Sequence, residues 1–297
     1  MTGTILIAGA SGGIGRRAVQ AFTQAGWTVR LYDRSTDLTQ AAQGVDVIFN
    51  ALNPPMYRNW PVEIPRITRM VIDAARASGA TVLMPGTVYV YGDQQGPWRE
   101  DTPHRAASRK GQIRIDMEKA YRAAASDGVR TTILRAGDFL DAENPQTLFN
   151  LVVLKGAAKG KVTATGNPDA PRAYANLTDL SRAMVLLAEK RAELSAFADI
   201  GFPGLTFSYR DLAQTLQGVT GHPTRVGRFP WWALKIASPV WGFAREMSEM
   251  RYLHETPHRI DGTRFQRMFP DFQHTALAPI VAAHLTKPAA TAAAVPA

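Results

Sequence analysis

The chain has 297 residues and a formal charge of +9, from 34 Lys and Arg against 25 Asp and Glu. That length suits one large α/β domain, or a main domain with a smaller lobe, and can bury a full core without covalent staples. The absence of cysteine excludes disulfides, zinc–thiolate centres and thiol nucleophiles, and it fits a reducing cytoplasm.

In chain order, Met1–Gly3 lacks a basic leader and Ile5–Ala10 runs straight into glycines, so no signal peptide is expected. Thr4–Ala8 is a short continuous apolar run, the pattern of a buried parallel strand. The glycine turn Gly9–Gly15 follows, then a helix over Arg16–Ala25 closed by Gly26. Strands are predicted at Thr28–Tyr32, Val45–Phe49, Thr81–Met84 and Thr131–Leu134, with helices at Pro65–Ser78 and Ser108–Ser126. Only about eleven residues separate Asp33 from Val45, room for one short helix near Leu38–Gln43. The sheet is therefore expected to lack one edge strand.

Strands alternating with helices imply right-handed βαβ units and a parallel sheet. The alternation breaks down after Gly137. The expected division is 1–135 with 174–200 as a dinucleotide domain, 136–173 with 201–285 as a smaller substrate lobe, and a disordered tail over 286–297. The apolar segment Trp231–Phe243 is interrupted by charge and proline, and no stretch reaches the ~18 apolar residues of a membrane span. Trp231, Trp232 and Trp241 are expected to pack the lobe or line its cleft. The basic residues are dispersed, so neither a nucleic acid nor a membrane is an expected partner.

The turn Gly9-Ala-Ser11-Gly12-Gly13-Ile14-Gly15 sits between a predicted strand and a predicted helix, the context in which this spacing binds a dinucleotide in a Rossmann domain. Gly9 permits the tight turn, Gly12 lets the backbone approach a pyrophosphate, and Gly15 allows close helix–strand packing. The helix N-terminus offers free N–H groups and partial positive charge. Asp33 lies 18 residues beyond Gly15, at the end of the next strand, where a carboxylate accepts from ribose hydroxyls. Asp33 favours NAD. Its neighbour Arg34 could pair with a 2′-phosphate and leaves NADP open, or could lie over the adenine.

The sequence resembles the extended short-chain dehydrogenase/reductases of the NAD-dependent epimerase/dehydratase type over most of its length. The likeness rests on the glycine turn, Asp46-Val-Ile-Phe-Asn50-Ala51, Thr87-Val-Tyr-Val-Tyr91-Gly92, Glu100-Asp-Thr-Pro103, Leu134-Arg135-Ala136-Gly137 and Asn176-Leu-Thr-Asp179. It implies a Rossmann-type α/β fold, cofactor contacts from Asn50, Ala51, Leu52, Arg135 and Ala136, and a small-molecule substrate such as a nucleotide-sugar. It puts Thr87 in the place of the catalytic Ser/Thr. The resemblance fails at the family's Tyr-x-x-x-Lys pair, whose positions hold Lys110 and Arg114.

An arginine at 114 can still hold ribose hydroxyls, but it does not exchange protons near neutrality. Lys110 is a candidate acid/base if burial lowers its pKa; otherwise it is a solvated lysine. Tyr89 and Tyr91 are candidate phenols, and strand alternation would put both on the face of Thr87. Two functions are open: an oxidoreductase or epimerase, and a cofactor-binding sensor or regulatory partner without turnover. The histidines are scattered, with His254 and His258 four apart around Pro257, and no metal site is expected. Arg172, Arg225 and Arg228 are candidate anion contacts. The protein is read as cytoplasmic, its assembly left between monomer and homodimer.

Overall fold

A computed structural model describes residues 2–145, 147–232 and 242–286. Six parallel strands form the central sheet: β1 (Thr4–Ala8), β2 (Thr28–Leu31), β3 (Val47–Asn50), β4 (Thr81–Gly86), β5 (Thr131–Arg135) and β9 (Phe197–Gly201), in the order β2-β1-β3-β4-β5-β9. This is the Rossmann-type α/β architecture. The edge strand expected to be missing is missing: the Asp33–Val45 connection holds one turn of helix, α2 (Leu38–Ala41), and β2 stands at the border.

Strand alternation builds two cores. Ile5 and Ile7 face α1 (Gly13–Gln24) and α5 (Leu177–Glu189), through Ala18, Phe22, Leu180 and Met184. Leu6 and Ala8 face the other layer, α3 (Trp60–Ser78) and α4 (Arg109–Ala124), through Ile64, Val71, Met117 and Tyr121. Helix α3 starts five residues before its expected start: Pro61 fits its first turn, where N–H groups have no helical acceptor, and Pro65 is carried inside the helix. The run at 88–91, expected as extended, is a short 3-10 helix capped by Thr87.

The lobe has a three-stranded sheet, β10 (Leu205–Phe207), β8 (Arg172–Asn176) and β6 (Asp138–Leu140), and a strand pair, β11 (Arg225–Arg228) with β7 (Lys161–Ala164). Helices α6 (Tyr209–Thr220) and α10 (Leu277–Thr286) close its core around Phe149, Val162, Leu212 and Val281. Two further helices, α7 (Gly242–Glu249) and α8 (Tyr252–Glu255), precede α9 (Thr263–Met268). The expected lobe boundary needs correcting at α9: Phe202, Phe265, Met268 and Phe272 pack into the core under α1 and α5, not into the lobe. Trp241 and residues 287–297 of the tail lie outside the described residues. No described helix is long and apolar enough to cross a membrane.

The glycine turn is tight at two places. Gly9 has φ +94°, and a Cβ on Gly15 would lie 2.1 Å from the Gly9 carbonyl oxygen. A Cβ on Gly12 would meet only that oxygen, at an ordinary 3.4 Å. Gly15→Ala should therefore cost about 1–3 kcal/mol by overpacking, read as a lower urea midpoint. Gly12→Ala should stay within about 1 kcal/mol of wild type.

Candidate active site

The turn ends on Gly12, the N-cap of α1, which has no side-chain cap and no acidic residue in its first turn. The first N–H groups of the helix are thus left for an anion. Ser11 is exposed, whereas Ile14 is core. Gly9 packs against the backbone of Ala51 and Leu52 just after β3. The Asn144 amide approaches Gly13, bringing the lobe's first loop to the helix start.

Asp33 lies past the end of β2 in solvent. Its carboxylate accepts from Ser35 N at 2.9 Å, and hydrogen bonds from Ser35 hold its pKa below the ordinary value. It is ionised at neutrality and open to a ribose. Arg34 beside it is exposed.

Beyond the β3 end, Asn50 donates to the Tyr121 hydroxyl at 3.1 Å and accepts from Leu52 N at 3.1 Å. Helix α4 carries Lys110, Arg114 and Glu118, one helical turn apart and all buried. Arg114 donates to Asn53 Oδ1 at 2.7 Å and to Met117 Sδ at 3.3 Å, and lies 4.5 Å over the Trp60 ring. Its Nε has no partner, and among the described residues no carboxylate pairs with it. Burial pulls its pKa below the usual arginine value.

Lys110 is not solvated. Its Nζ lies 2.5 Å from Glu246 and 2.5 Å from Glu249, both on α7, and 4.7 Å over the Tyr57 ring. Burial raises the Glu249 carboxyl, and the hydrogen bonds from Lys110 more than reverse this, leaving it below its ordinary value. Both carboxylates engage the ammonium, so Lys110 is committed to ion pairs and not free to face a substrate.

The 3-10 turn separates the two candidate phenols, correcting the expectation that they share one face with Thr87. Tyr89 points to Tyr57, hydroxyl to hydroxyl at 3.3 Å, and burial raises its pKa well above the ordinary value. Tyr91 packs on Trp98 at 4.9 Å and donates to the Arg99 carbonyl at 3.3 Å. Thr87 is half-buried. Its Oγ accepts from Tyr89 N at 3.3 Å, and its hydroxyl hydrogen has no acceptor among the described residues.

Arg135 is an internal tie. It donates to both Glu118 oxygens at 2.7 and 2.9 Å, to the Thr87 carbonyl at 2.8 Å and to Asp199. Ala136 is buried behind it. Ligand atoms of His104, Glu118 and Asp199 gather here, but the guanidinium already occupies the two carboxylates.

In the lobe, Arg172 is buried. It donates to Tyr209 at 2.5 Å and to Asp138, so it is no exposed anion contact. Trp231 donates to the Thr165 carbonyl at 2.7 Å. Sequence reasoning missed Tyr57 and the two glutamates; a conspicuous Tyr57-x-x-Trp60 after the β3 motif was the one available signal.

His254 shares a hydrogen bond of 2.9 Å with Thr165, and His258 stacks on Trp98 at 4.3 Å. Burial, then Arg172, holds His254 well below 6.5 and His258 at about 4. Both imidazoles are neutral in the fold. As pH falls below 6.5 the unfolded chain takes up protons first, so stability declines from there toward pH 4. The decline should approach about 1.4 kcal/mol per pH unit for each histidine. Urea unfolding between pH 7.5 and 4.5 checks this, and His258→Phe should flatten the slope.

Residues 63–200 match the NAD dependent epimerase/dehydratase family. A search of curated protein sequences finds no match. Among solved structures, the chain is similar to MoeE5 in complex with UDP-glucose and NAD: TM-score 0.75, 18% identity, 95% of this chain and 97% of that one. It is also similar to a UDP-glucose-4-epimerase from Stenotrophomonas maltophila with bound NAD and formylated UDP-arabinopyranose: TM-score 0.74, 16% identity, 95% and 96% covered. A third is the UDP-glucuronic acid 4-epimerase from Bacillus cereus in complex with UDP-glucuronic acid and NAD: TM-score 0.74, 16% identity, 95% and 97% covered.

Proposed function

From the match of residues 63–200 to the NAD dependent epimerase/dehydratase family, we propose that this chain belongs to that family, binds NAD over the glycine turn and acts as an oxidoreductase or epimerase on a hydroxyl or carbonyl carbon. The substrate class is a nucleotide-sugar, as in the solved structures with similar folds. The cysteine-free composition supports a cytoplasmic setting.

The residues fit the cofactor. Gly12 leaves open space and uncapped N–H groups for a pyrophosphate. Asp33 is free to accept from the adenosine ribose, and its charge repels a 2′-phosphate, which favours NAD over NADP; exposed Arg34 opposes this from solvent, where screening weakens it. Bound NAD supplies the hydride acceptor, and its reduced form the donor.

Arg114 carries the catalytic reading. It is a buried guanidinium with neutral partners and an unpartnered Nε, at the position from which the family's lysine acts. It can hold ribose hydroxyls and stabilise a developing negative charge without giving up its proton. The Thr87 hydroxyl holds the substrate oxygen. Lys110 supports the site through its ion pairs rather than as a base. That neutralised lysine, with no tyrosine beside it, is also the observation that favours the second reading, cofactor binding without turnover.

Two measurements test this. Asp33→Ala should weaken NAD about tenfold or more, as loss of a charged hydrogen-bond acceptor does, and tighten NADP. Unchanged NAD affinity would remove Asp33 from the site. Absorbance assays with NADH and a panel of nucleotide-sugars, aldehydes and ketones should show turnover, reduced about 100-fold by Thr87→Ala and restored by Thr87→Ser. Binding without turnover would decide for the second reading.

A further inference from the structure

The most constrained residue near α4 is one that the site as described does not use. Tyr57 lies between β3 and α3, where Met56 (φ 54°), Tyr57 (φ 60°) and Asn59 (φ 51°) all hold left-handed backbone. Non-glycine side chains seldom adopt that region, and a cluster of them persists only where surrounding contacts impose it. The contacts are specific. The Tyr57 ring meets Trp60 edge-on at 4.9 Å, the Lys110 ammonium sits over its face at 4.7 Å, and its hydroxyl lies 3.3 Å from that of Tyr89. Trp60 in turn carries the Arg114 guanidinium. One turn of chain thus brings a phenol to the two cations that occupy the positions of the missing Tyr-x-x-x-Lys pair.

We propose that Tyr57 is the acid/base phenol of this site, supplied from the loop before α3 instead of from α4, with Tyr89 as its hydrogen-bond partner and Lys110 and Arg114 as its flanking cations. The inference rests on the NAD-dependent oxidoreductase reading above. In the reducing direction, the Oη–H bond of Tyr57 breaks and its proton passes to the substrate carbonyl oxygen. The carbonyl carbon takes a hydride from NADH, giving an alcohol and NAD. The phenolate regains a proton from water, and oxidation reverses each transfer.

The electrostatics agree with the geometry. Burial raises the Tyr57 phenol above its ordinary value, so it keeps its proton in the resting state. The Tyr89 hydrogen bond, Lys110 and Arg114 all pull it back down, and Asp138 opposes them. Positive charge therefore stands beside the oxygen that becomes negative when the proton leaves. The alternatives are otherwise engaged: Tyr91 on the Arg99 carbonyl, Lys110 on two carboxylates.

The test uses the full chain, tyrosine 13Cζ NMR and kinetics. The Tyr57 resonance, identified by its loss in Tyr57→Phe, should shift when NAD is added to saturation. Tyr57→Phe keeps the ring and should lower turnover of NADH with the carbonyl panel about 100-fold, while NADH affinity stays within twofold. Tyr89→Phe should lose less than tenfold. A Tyr57 resonance unmoved by saturating NAD overturns the proposal, and so does a loss of less than tenfold in Tyr57→Phe. If the wild type fails to bind NAD, or binds it and turns nothing over, the oxidoreductase reading itself falls, a result distinct from either of these.

Discussion

Arg135 ties the molecule together at the point where chemistry is expected. A buried guanidinium is costly to desolvate, and the cost is offset only when its donors meet charge in good geometry. Here Glu118 takes two of them, Asp199 a third, and the Thr87 carbonyl a fourth. Four chain segments are fixed against one another by this group: β5, α4, β9 and the turn after β4. The consequence runs along α4. Because Glu118 must face Arg135, the residues one and two turns earlier, Arg114 and Lys110, must face inward too. A helix with polar residues at those spacings would ordinarily turn them to water. The ion group at Glu118 turns them inward instead.

The two ends of the proposed site differ in character. At the proposed adenosine end the walls are thin: β2 is a border strand, one short helix follows it, and Asp33 and Arg34 stand in solvent. Charges there are screened, so discrimination between cofactors rests on modest differences. At the other end Arg114 is buried, and a unit charge acts with several times the strength it has in water. The chain thus puts its weak, selective contacts outside and its strong ones where a reaction would develop charge.

What was legible in the sequence was local. The β1–turn–α1 unit lies within the contiguous stretch Thr4–Gln24, and the shortened Asp33–Val45 connection is a matter of chain length. The 3-10 turn at Val88–Tyr91 was not legible, because β-branched and aromatic residues read as strand, and only the Thr87 cap and the tertiary packing of the two tyrosines decide otherwise. Tyr57 was overlooked because left-handed backbone at Met56, Tyr57 and Asn59 has no glycine to announce it. The tie from Arg135 to Asp199 was not legible because the two are 64 positions apart.

Lys110 and Arg114 pose a problem that the lobe solves. Two cations four residues apart on one helix face repel each other, and the repulsion grows with burial. Arg114 is given only neutral company, Asn53, a thioether and an indole face. Lys110 instead receives Glu246 and Glu249, more than 130 positions along the chain, on a helix of the C-terminal region. The charge of the site therefore depends on the docking of α7. With α7 in place, Lys110 is compensated and Arg114 is left as the uncompensated cation of the stripe. With α7 displaced, two unpaired cations would stand on one helix face at once. Docking of the C-terminal region is thus tied to the electrostatics of the proposed site through one lysine.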